Sequence, residues 1–293
     1  MKMRRLVALA AITALIVGCA SVEREVEGPP RKETLIGVTE GNTLVRFNGG
    51  QPQKITVIGA VRGLQPGEKL VAIDFRVSRG TLFGLGSSGR LYTLDAKTAE
   101  AKAVGPAPLA IALQGTEFGF DFNPTVDRIR IVSEAGQNFR AHPDTGAAVD
   151  GNPNVDGIQP DGPLAYAPTD ANAGAKPRIA GAGYTYNKQN EKITTNFAID
   201  AAAAALVTQG SREGATPAVS PNTGQLFTVG SLGIGRFARA GFDIADVNNA
   251  AYLAVDLEGR TATRLYSVDL ASGKAMFIGT VGGERLRGIA IEP

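Results

Sequence analysis

Tryptophan is absent from this 293-residue sequence, and cysteine and histidine occur only once each. A single cysteine excludes a disulfide framework, and a single histidine excludes a zinc site built from several histidines. A Ser-His-Asp triad would have to use His142, which stands in a turn-forming sequence before Pro143 and Asp144, so we expect no nucleophilic catalysis there. Aromatic residues make up only 6% of the chain, which leaves few platforms for stacking sugar rings.

The first residues have the features of an export signal. Lys2, Arg4 and Arg5 precede an apolar run over residues 6–17, which is too short to span a bilayer comfortably. The lone cysteine, Cys19, closes the sequence IVGC, which resembles the lipobox at which bacterial lipoproteins are cut and acylated. We therefore predict a signal peptide at residues 1–18 and lipidation of Cys19. The alternative is an ordinary signal peptide that is cut a residue or two later.

Ala20 follows the cysteine, and by resemblance to Gram-negative lipoproteins this favours the outer membrane, facing the periplasm or the exterior. Charged residues and two prolines predict that residues 19–32 form a flexible tether after the lipidated cysteine. Without residues 1–18 the chain has 27 basic and 28 acidic residues. Since no basic excess remains to neutralise phosphates, we expect no nucleic-acid partner, and membrane contact through the lipid only.

A short phrase with an acid among apolar residues recurs along the rest of the chain. It is VAIDF at residues 71–75, FGFDF at 118–122, AGFDI at 240–244 and GIAIE at 288–292. Asp74 and Asp121 are 47 residues apart, and short alternating strands with turn residues fill the interval. A period of this length is typical of propeller blades. We predict an all-β protein with a single β-propeller domain over residues 33–293.

The recurring phrase divides the domain into units of four strands. The interval from Asp121 to Asp243 is long enough for two units, with residues 164–168 as a degenerate first strand and an insertion near residues 210–220. The chain begins with the second strand of a unit and ends with a first strand, so we expect pairing of the terminal strands to close one blade. This predicts five blades, or six if residues 216–230 form a short extra blade.

A family resemblance rests on longer motifs. Residues 119–133 are GFDFNPTVDRIRIVS, and GQNFR and PDTG follow at 136–140 and 143–146. These motifs resemble the signature of a bacterial exported family known as domain of unknown function 4394, and similar segments extend the resemblance over nearly all of residues 35–292. The resemblance implies an exported, propeller-like domain. It implies no activity, because the family has none assigned.

The recurring acids are the candidate site. Asp74, Asp121, Asp243 and Glu292 hold one position of the innermost strand in four units, so rotational symmetry would place four carboxylates around the axis. Such a ring could bind Ca²⁺ or Mg²⁺ through its oxygens. We favour the alternative that each acid accepts backbone N–H bonds or pairs with an arginine, which would lock blade to blade. Four arginines are close to these acids in the sequence: Arg76, Arg128, Arg130 and Arg287.

Two further motifs are weak. Asn152, Asn154 and Asp156 approximate the start of a calcium loop, but Pro163 stands where its last acidic ligand would be, and turn residues give the same composition without a metal. Residues 84–89 match the dinucleotide fingerprint GxGxxG, but a strand follows them where a helix would be needed. We therefore predict a hairpin turn and no cofactor-binding residues there.

The sequence thus predicts a lipid-anchored propeller of the cell envelope that acts as a binding or scaffolding module. Its partner would be an unknown small molecule or an envelope protein. No cofactor is required for this role and no catalytic residue is assigned, with Ca²⁺ or Mg²⁺ as the candidate ion. The alternative is a metal-assisted hydrolase or lyase that uses the carboxylates around the axis.

Overall fold

The computed structural model describes residues 27–293, so the predicted signal peptide and Cys19 lie outside the described residues. The described residues form short β-strands and two 3₁₀ helices of three residues each, Val77–Arg79 and Pro221–Thr223. Five sheets are arranged as a five-bladed β-propeller, which confirms the predicted fold. Within residues 27–293, no helix has the length and apolar character needed to cross a membrane.

The blades follow one another along the chain. Blade 1 contains β1 (Thr34–Thr39), β2 (Thr43–Asn48) and β3 (Gln51–Ala60). Blade 2 contains β4 (Leu70–Arg76), β5 (Thr81–Gly86), β6 (Leu91–Leu94) and β7 (Ala101–Val104). Blade 3 contains β8 (Phe118–Asn123), β9 (Arg128–Ser133), β10 (Asn138–Ala141) and β11 (Ala148–Val149).

The second half of the chain completes the ring. Blade 4 contains β12 (Ala165–Tyr166), β13 (Ile179–Tyr184), β14 (Asn196–Asp200), β15 (Ala205–Gln209) and β16 (Gln225–Ser231). Blade 5 contains β17 (Phe237–Ile244), β18 (Ala251–Leu257), β19 (Arg264–Val268) and β20 (Ala275–Thr280). The last strand, β21 (Leu286–Ile291), pairs with β1 as the innermost strand of blade 1.

The predicted closure by the two ends of the domain is confirmed. β21 and β1 are antiparallel, with Ile291 opposite Leu35 and Ile289 opposite Gly37. The innermost strands β4, β8, β13, β17 and β21 contact one another in this order around the axis, and β21 returns to β4. This pairing leaves no open edge between the first and last units, which is how propellers protect their sheets.

Apolar side chains fill the spaces between blades. The five buried clusters each join two neighbouring blades, so that every interface in the ring has its own core. Glycines allow the innermost strands to approach closely: a Cβ on Gly241 of β17 would lie 3.0 Å from the backbone nitrogen of Ile289 in β21. The apolar residues of the recurring phrase therefore pack each blade against its neighbour.

The fourth blade differs from the prediction. Its innermost strand is β13, whereas residues 165–166 of the predicted strand form β12, which runs parallel to β16 at the outer edge of the sheet. β13 has the sequence IAGAGY, which lacks the acid used to recognise the other inner strands. The six-blade alternative is wrong because residues 225–231 form β16, the fourth strand of blade 4 counted from the axis.

Candidate functional site

Three inner strands each bring one aspartate to the axis of the propeller. Asp74 lies near the end of β4, Asp121 near the end of β8 and Asp243 near the end of β17. In a strand, successive side chains point to opposite faces. The apolar neighbours of each aspartate enter the cluster shared with the preceding blade, as Phe120 and Phe122 do, so the aspartate faces the following blade.

Each of these carboxylates binds the backbone of the next inner strand. Asp74 Oδ2 accepts the N–H of Phe122 at 3.0 Å, and Asp243 Oδ2 accepts the N–H of Ile291 at 2.6 Å. Asp121 accepts the N–H of Tyr184 in the same way. The prediction that the acids accept backbone N–H bonds from a neighbouring blade therefore agrees with this geometry.

The repeated hydrogen bond identifies the equivalent position in all five blades. Because Tyr184 and Ile291 correspond to Phe122, the residues before them, Gly183 and Ala290, correspond to Asp121. The axial ring thus contains three aspartates and two small residues. Glu292, which the sequence places in the ring, lies two residues beyond Ala290 and forms an ion pair with Arg46 at 2.7 Å.

The three aspartates form one tight cluster. One oxygen from each of Asp74, Asp121 and Asp243 lies within 4.8 Å of the other two, and each side chain is almost completely buried. None of the three has an ion pair among residues 27–293. The arginines near them in the sequence are used elsewhere: Arg76 pairs with Asp127 and Asp144, and Arg130 pairs with Asp161.

Burial and mutual repulsion raise the pKa values of the cluster. Burial is the main cause for Asp74 and Asp121, whose pKa values lie well above the usual range, and the neighbouring carboxylates raise them further. Burial also raises the pKa of Asp243 to about 7, although the N–H groups of Ile291 and Ile244 oppose the shift. Two or three like charges this close cannot all be ionised at neutral pH without a compensating cation.

The cluster lines a pocket of about 210 Å³ that is open at one end of the axis. Six carboxylate side chains line it, and Lys32 is the basic residue among them. Asp246, three residues after Asp243, was not recognised from the sequence; burial raises its pKa to about 6. The sequence feature that could have identified Asp246 is its position three residues after Asp243, in a segment rich in Asp and Asn.

The sequence of residues 43–290 matches the family model of DUF4394, a domain of unknown function. This confirms the resemblance seen in the sequence. The chain belongs to the DUF4394 family. No curated protein matches the sequence.

Three solved structures that are similar to this DUF4394 chain differ from it strongly in sequence. Hydrazine synthase from Kuenenia stuttgartiensis is 12% identical, with a TM-score of 0.40 over 76% of this chain and 53% of that one. A protein of unknown function from Bacteroides thetaiotaomicron is 12% identical, with a TM-score of 0.43 and coverages of 87% and 60%. YCF48 from Cyanidioschyzon merolae is 12% identical, with a TM-score of 0.38 and coverages of 86% and 71%. The DUF4394 chain thus spans between about half and three fifths of the first two proteins, and likeness at this level carries no functional argument.

The weak calcium-loop candidate is held by hydrogen bonds within the loop itself. Asn152 Oδ1 accepts the backbone N–H of Asn154 at 3.2 Å, and Asp150 Oδ1 accepts those of Asn152 and Gln159. Asp156 accepts from Gln159 through its backbone carbonyl. These bonds stabilise the turns of the loop.

The remaining sequence motifs of the DUF4394 domain lie in hairpins. Residues 87–90 connect β5 to β6, and Gly89 has a φ of 82°, so the glycine motif is a tight turn as predicted. His142 lies between β10 and β11, where its Nδ1 accepts the N–H of Asp144 at 3.3 Å.

Proposed function

We propose that this DUF4394 domain is a ligand-binding module of the cell envelope, anchored through lipidated Cys19, and that its axial pocket binds a divalent cation. Ca²⁺ and Mg²⁺ are the candidate ions because both take carboxylate oxygens. The cation would complete the pocket and present open coordination positions to oxygen atoms of a ligand. The lipobox sequence at Cys19 supports the location, and the axial aspartates support the site.

One observation carries the cation: three buried carboxylates line an open pocket without an ion-paired partner among residues 27–293. Two unit charges 4.8 Å apart repel by about 3 to 4 kcal/mol at the effective dielectric constant of about 20 that suits protein sites. A divalent cation among them replaces this repulsion with attraction. The same cation would lower the raised pKa values of the three aspartates.

The distances fit an ion of this kind. Calcium–oxygen bonds are about 2.3 to 2.6 Å long, so oxygens on opposite sides of a bound Ca²⁺ are separated by about 5 Å. The three aspartate oxygens lie within 4.8 Å of one another, which is inside this limit. Three protein ligands leave several coordination positions, since Ca²⁺ takes about six to eight.

Thermal unfolding of the full chain tests this proposal. Melting is measured in EDTA and then with millimolar Ca²⁺ or Mg²⁺, at constant ionic strength. A cation at a hundred times its dissociation constant stabilises the folded state by about 2.7 kcal/mol. For a domain of this size that corresponds to a rise of about 5 to 10 °C in the melting temperature.

Asp121→Asn and Asp156→Asn provide a matched pair. Asparagine at position 121 can still accept the N–H of Tyr184 but lacks the charge, so the response to the cation should disappear. Asp156→Asn removes a carboxylate from the distant loop and should keep the full response. An unchanged response in Asp121→Asn, or no response in the unmodified chain, would refute the axial cation site.

Asp246 supports a second candidate function, metal-assisted hydrolysis. It lines the same pocket, and its pKa of about 6 suits a general base near neutral pH. Hydrolysis of simple esters with Ca²⁺ or Mg²⁺ present should then follow one ionisation at or below about pH 6 and be lost in Asp246→Asn. A hydrolysis rate that is the same in Asp246→Asn and in the unmodified chain would exclude this role.

A further inference from the structure

A second cleft has the opposite electrostatic character. It lies between blades 3 and 4, has a volume of about 420 Å³, and is lined by Arg128, Arg130 and Arg140 together with Tyr184 and Asn222. No aspartate or glutamate lines it. Three guanidinium groups in one cleft are unusual for a structural contact, because arginines repel one another unless acids compensate them.

Arg130 is fixed at the floor of this cleft. Its side chain is 2% exposed, and Nη1 donates to Asp161 Oδ2 at 2.6 Å. Nε donates to Tyr184 Oη at 3.2 Å, and Nη2 donates to Asn222 Oδ1 at 2.5 Å. This arginine therefore connects β9 of blade 3 with two segments of blade 4, and its position requires no ligand.

The charges around Arg130 do not balance. Asp161 is the single acid that pairs with it, and the same carboxylate also accepts two bonds from Arg140, at 2.7 and 2.8 Å. Arg128 donates from Nη1 to the backbone carbonyls of Val126 and Asp127 and forms no ion pair within the described part of the chain. Three guanidinium groups thus share one carboxylate, and the cleft has an excess of two positive charges.

The free hydrogen-bonding groups of the cleft are donors. Tyr184 Oη accepts from Arg130, so its own hydrogen is available, and no residue of the described chain accepts it. Asn222 Oδ1 also accepts from Arg130, which leaves the Nδ2 amide of Asn222 with no acceptor among the same residues. Arg140 uses Nε and Nη2 for Asp161 and leaves Nη1 without an acceptor in residues 27–293. A ligand that satisfies these groups must supply acceptor oxygens and negative charge.

We propose that this cleft is an oxyanion-binding site that takes a phosphate-type dianion carried by a small molecule. Arg128 and Arg140 contact its oxygens from the rim, while the Tyr184 hydroxyl and the Asn222 amide donate from the floor. A dianion is the matching charge because three guanidinium groups share one carboxylate, which leaves a net charge of plus two. The cleft is separate from the axial aspartates and does not rest on the proposed cation.

Tyr184 places the two sites side by side. Its backbone N–H binds Asp121 in the axial pocket, whereas its hydroxyl belongs to the arginine cleft. Tyr184 also lines both cavities. One face of the propeller therefore presents a carboxylate-lined pocket and a guanidinium-lined cleft a single side chain apart.

Isothermal titration calorimetry of the full chain with inorganic phosphate, in EDTA at constant ionic strength, tests the site. Sulfate and acetate are titrated in parallel to separate a dianion site from a carboxylate site. We expect saturable phosphate binding, with sulfate comparable and acetate at least tenfold weaker. Absence of saturable phosphate binding, or acetate binding as tight as phosphate, would overturn the proposal.

Arg128→Gln is the most informative variant. Arg128 is half-buried and bonds only to carbonyls of its own turn, so its loss should leave the fold intact while phosphate binds about tenfold more weakly. Arg62→Gln is the matched control, since Arg62 is exposed and likewise donates to a backbone carbonyl, that of Thr98. Equal weakening in both variants would mean that phosphate responds only to net charge, and this would refute a specific cleft.

A second variant acts on the floor of the cleft. Tyr184→Phe removes one hydroxyl, and we expect several-fold weaker phosphate binding. If Tyr184→Phe and Arg128→Gln both keep the full phosphate affinity, the anion binds elsewhere and the assignment is wrong. Since these titrations contain no metal, failure of the axial cation proposal would not affect their outcome.

Discussion

The axial aspartates make stability depend on pH in an unusual direction. Asp243 has a folded-state pKa of about 7 against an ordinary value of 3.8, so the folded chain holds a proton that the unfolded chain has lost between these values. Stability falls as pH rises wherever the folded state binds more protons. Each pH unit in this window costs about 1.4 kcal/mol, so Asp243 alone removes about 2 to 3 kcal/mol of stability between pH 5 and pH 7.

Thermal unfolding in EDTA at pH 5, 6, 7 and 8 measures this effect. The expected loss lowers the melting temperature by about 5 to 10 °C between pH 5 and pH 7. Carboxyls with lowered pKa values, such as Glu40 beside Arg239, change stability below about pH 5, outside this window. Asp246, whose pKa burial raises to about 6, adds to the loss between pH 5 and pH 6. Saturating Ca²⁺ should reverse the slope, because the ion binds the ionised carboxylates.

Asp243→Asn and Asp156→Asn separate the axial effect from the rest of the protein. The first should make the slope between pH 5 and pH 7 less steep without abolishing it, because Asp74, Asp121 and Asp246 also have raised pKa values, and the second should leave it unchanged. Stability in EDTA that stays level or rises from pH 5 to pH 7 would show that the cluster is not protonated as argued. The electrostatic basis of the proposed cation site would then be lost.

Two further predictions concern closure of the ring. Ile289→Ala empties a 2% exposed position of the closing strand and should cost about 2 to 5 kcal/mol in chemical denaturation, whereas a cost below 1 kcal/mol would argue against a packed interface with blade 5. Gly241→Ala places a methyl group 3.0 Å from the backbone nitrogen of Ile289 and should cost about 1 to 3 kcal/mol, while Gly235→Ala, which meets nothing within 4 Å, should change stability by less than about 0.5 kcal/mol. Equal effects of the two glycine variants would contradict the close approach of β17 and β21.

The period of the recurring phrase was enough to predict the blade number and the closure. Each inner strand packs apolar residues against a neighbouring blade, and in three of them the phrases VAIDF, FGFDF and AGFDI recur at a spacing of one or two blades. β13 escaped recognition because Gly183 takes the place of the acid and Ala182 replaces one of the two large apolar neighbours, the other being Tyr184. A search for acids could not find a strand that has none.

The assignment of Glu292 shows how a register error of two residues arises. The last phrase, GIAIE, ends in an acid, and aligning the acids of the four phrases placed its fifth residue in the ring in place of its third. The hydrogen bond from Ile291 to Asp243 fixes the register and places Ala290 in the ring. Aligning Gly288 with Gly119 and Gly241 instead of aligning the acids would have given the same answer.

The arginine cleft depends on contacts that sequence spacing does not reveal. Asp161 lies 31 residues from Arg130, and Asn222 lies 92 residues from it, both outside the regular strands. A salt bridge between a strand and a loop has no period, so nothing in the sequence selects Asp161 as the partner of Arg130 in place of Asp150 or Asp156. Only the folded chain brings these groups together.

A blade lock alone does not account for the charge of the axial aspartates. Each one accepts a backbone N–H from the next blade, and the side-chain carbonyl of an asparagine would accept the same bond without the repulsion. Gly183 and Ala290 show that two of the five inter-blade contacts are made with no such acceptor at all. Three buried acids that lack an ion-paired partner in residues 27–293 therefore lower stability where a neutral residue would not. Costly groups of this kind are typical of functional sites, which favours a cation in the pocket over a purely structural ring.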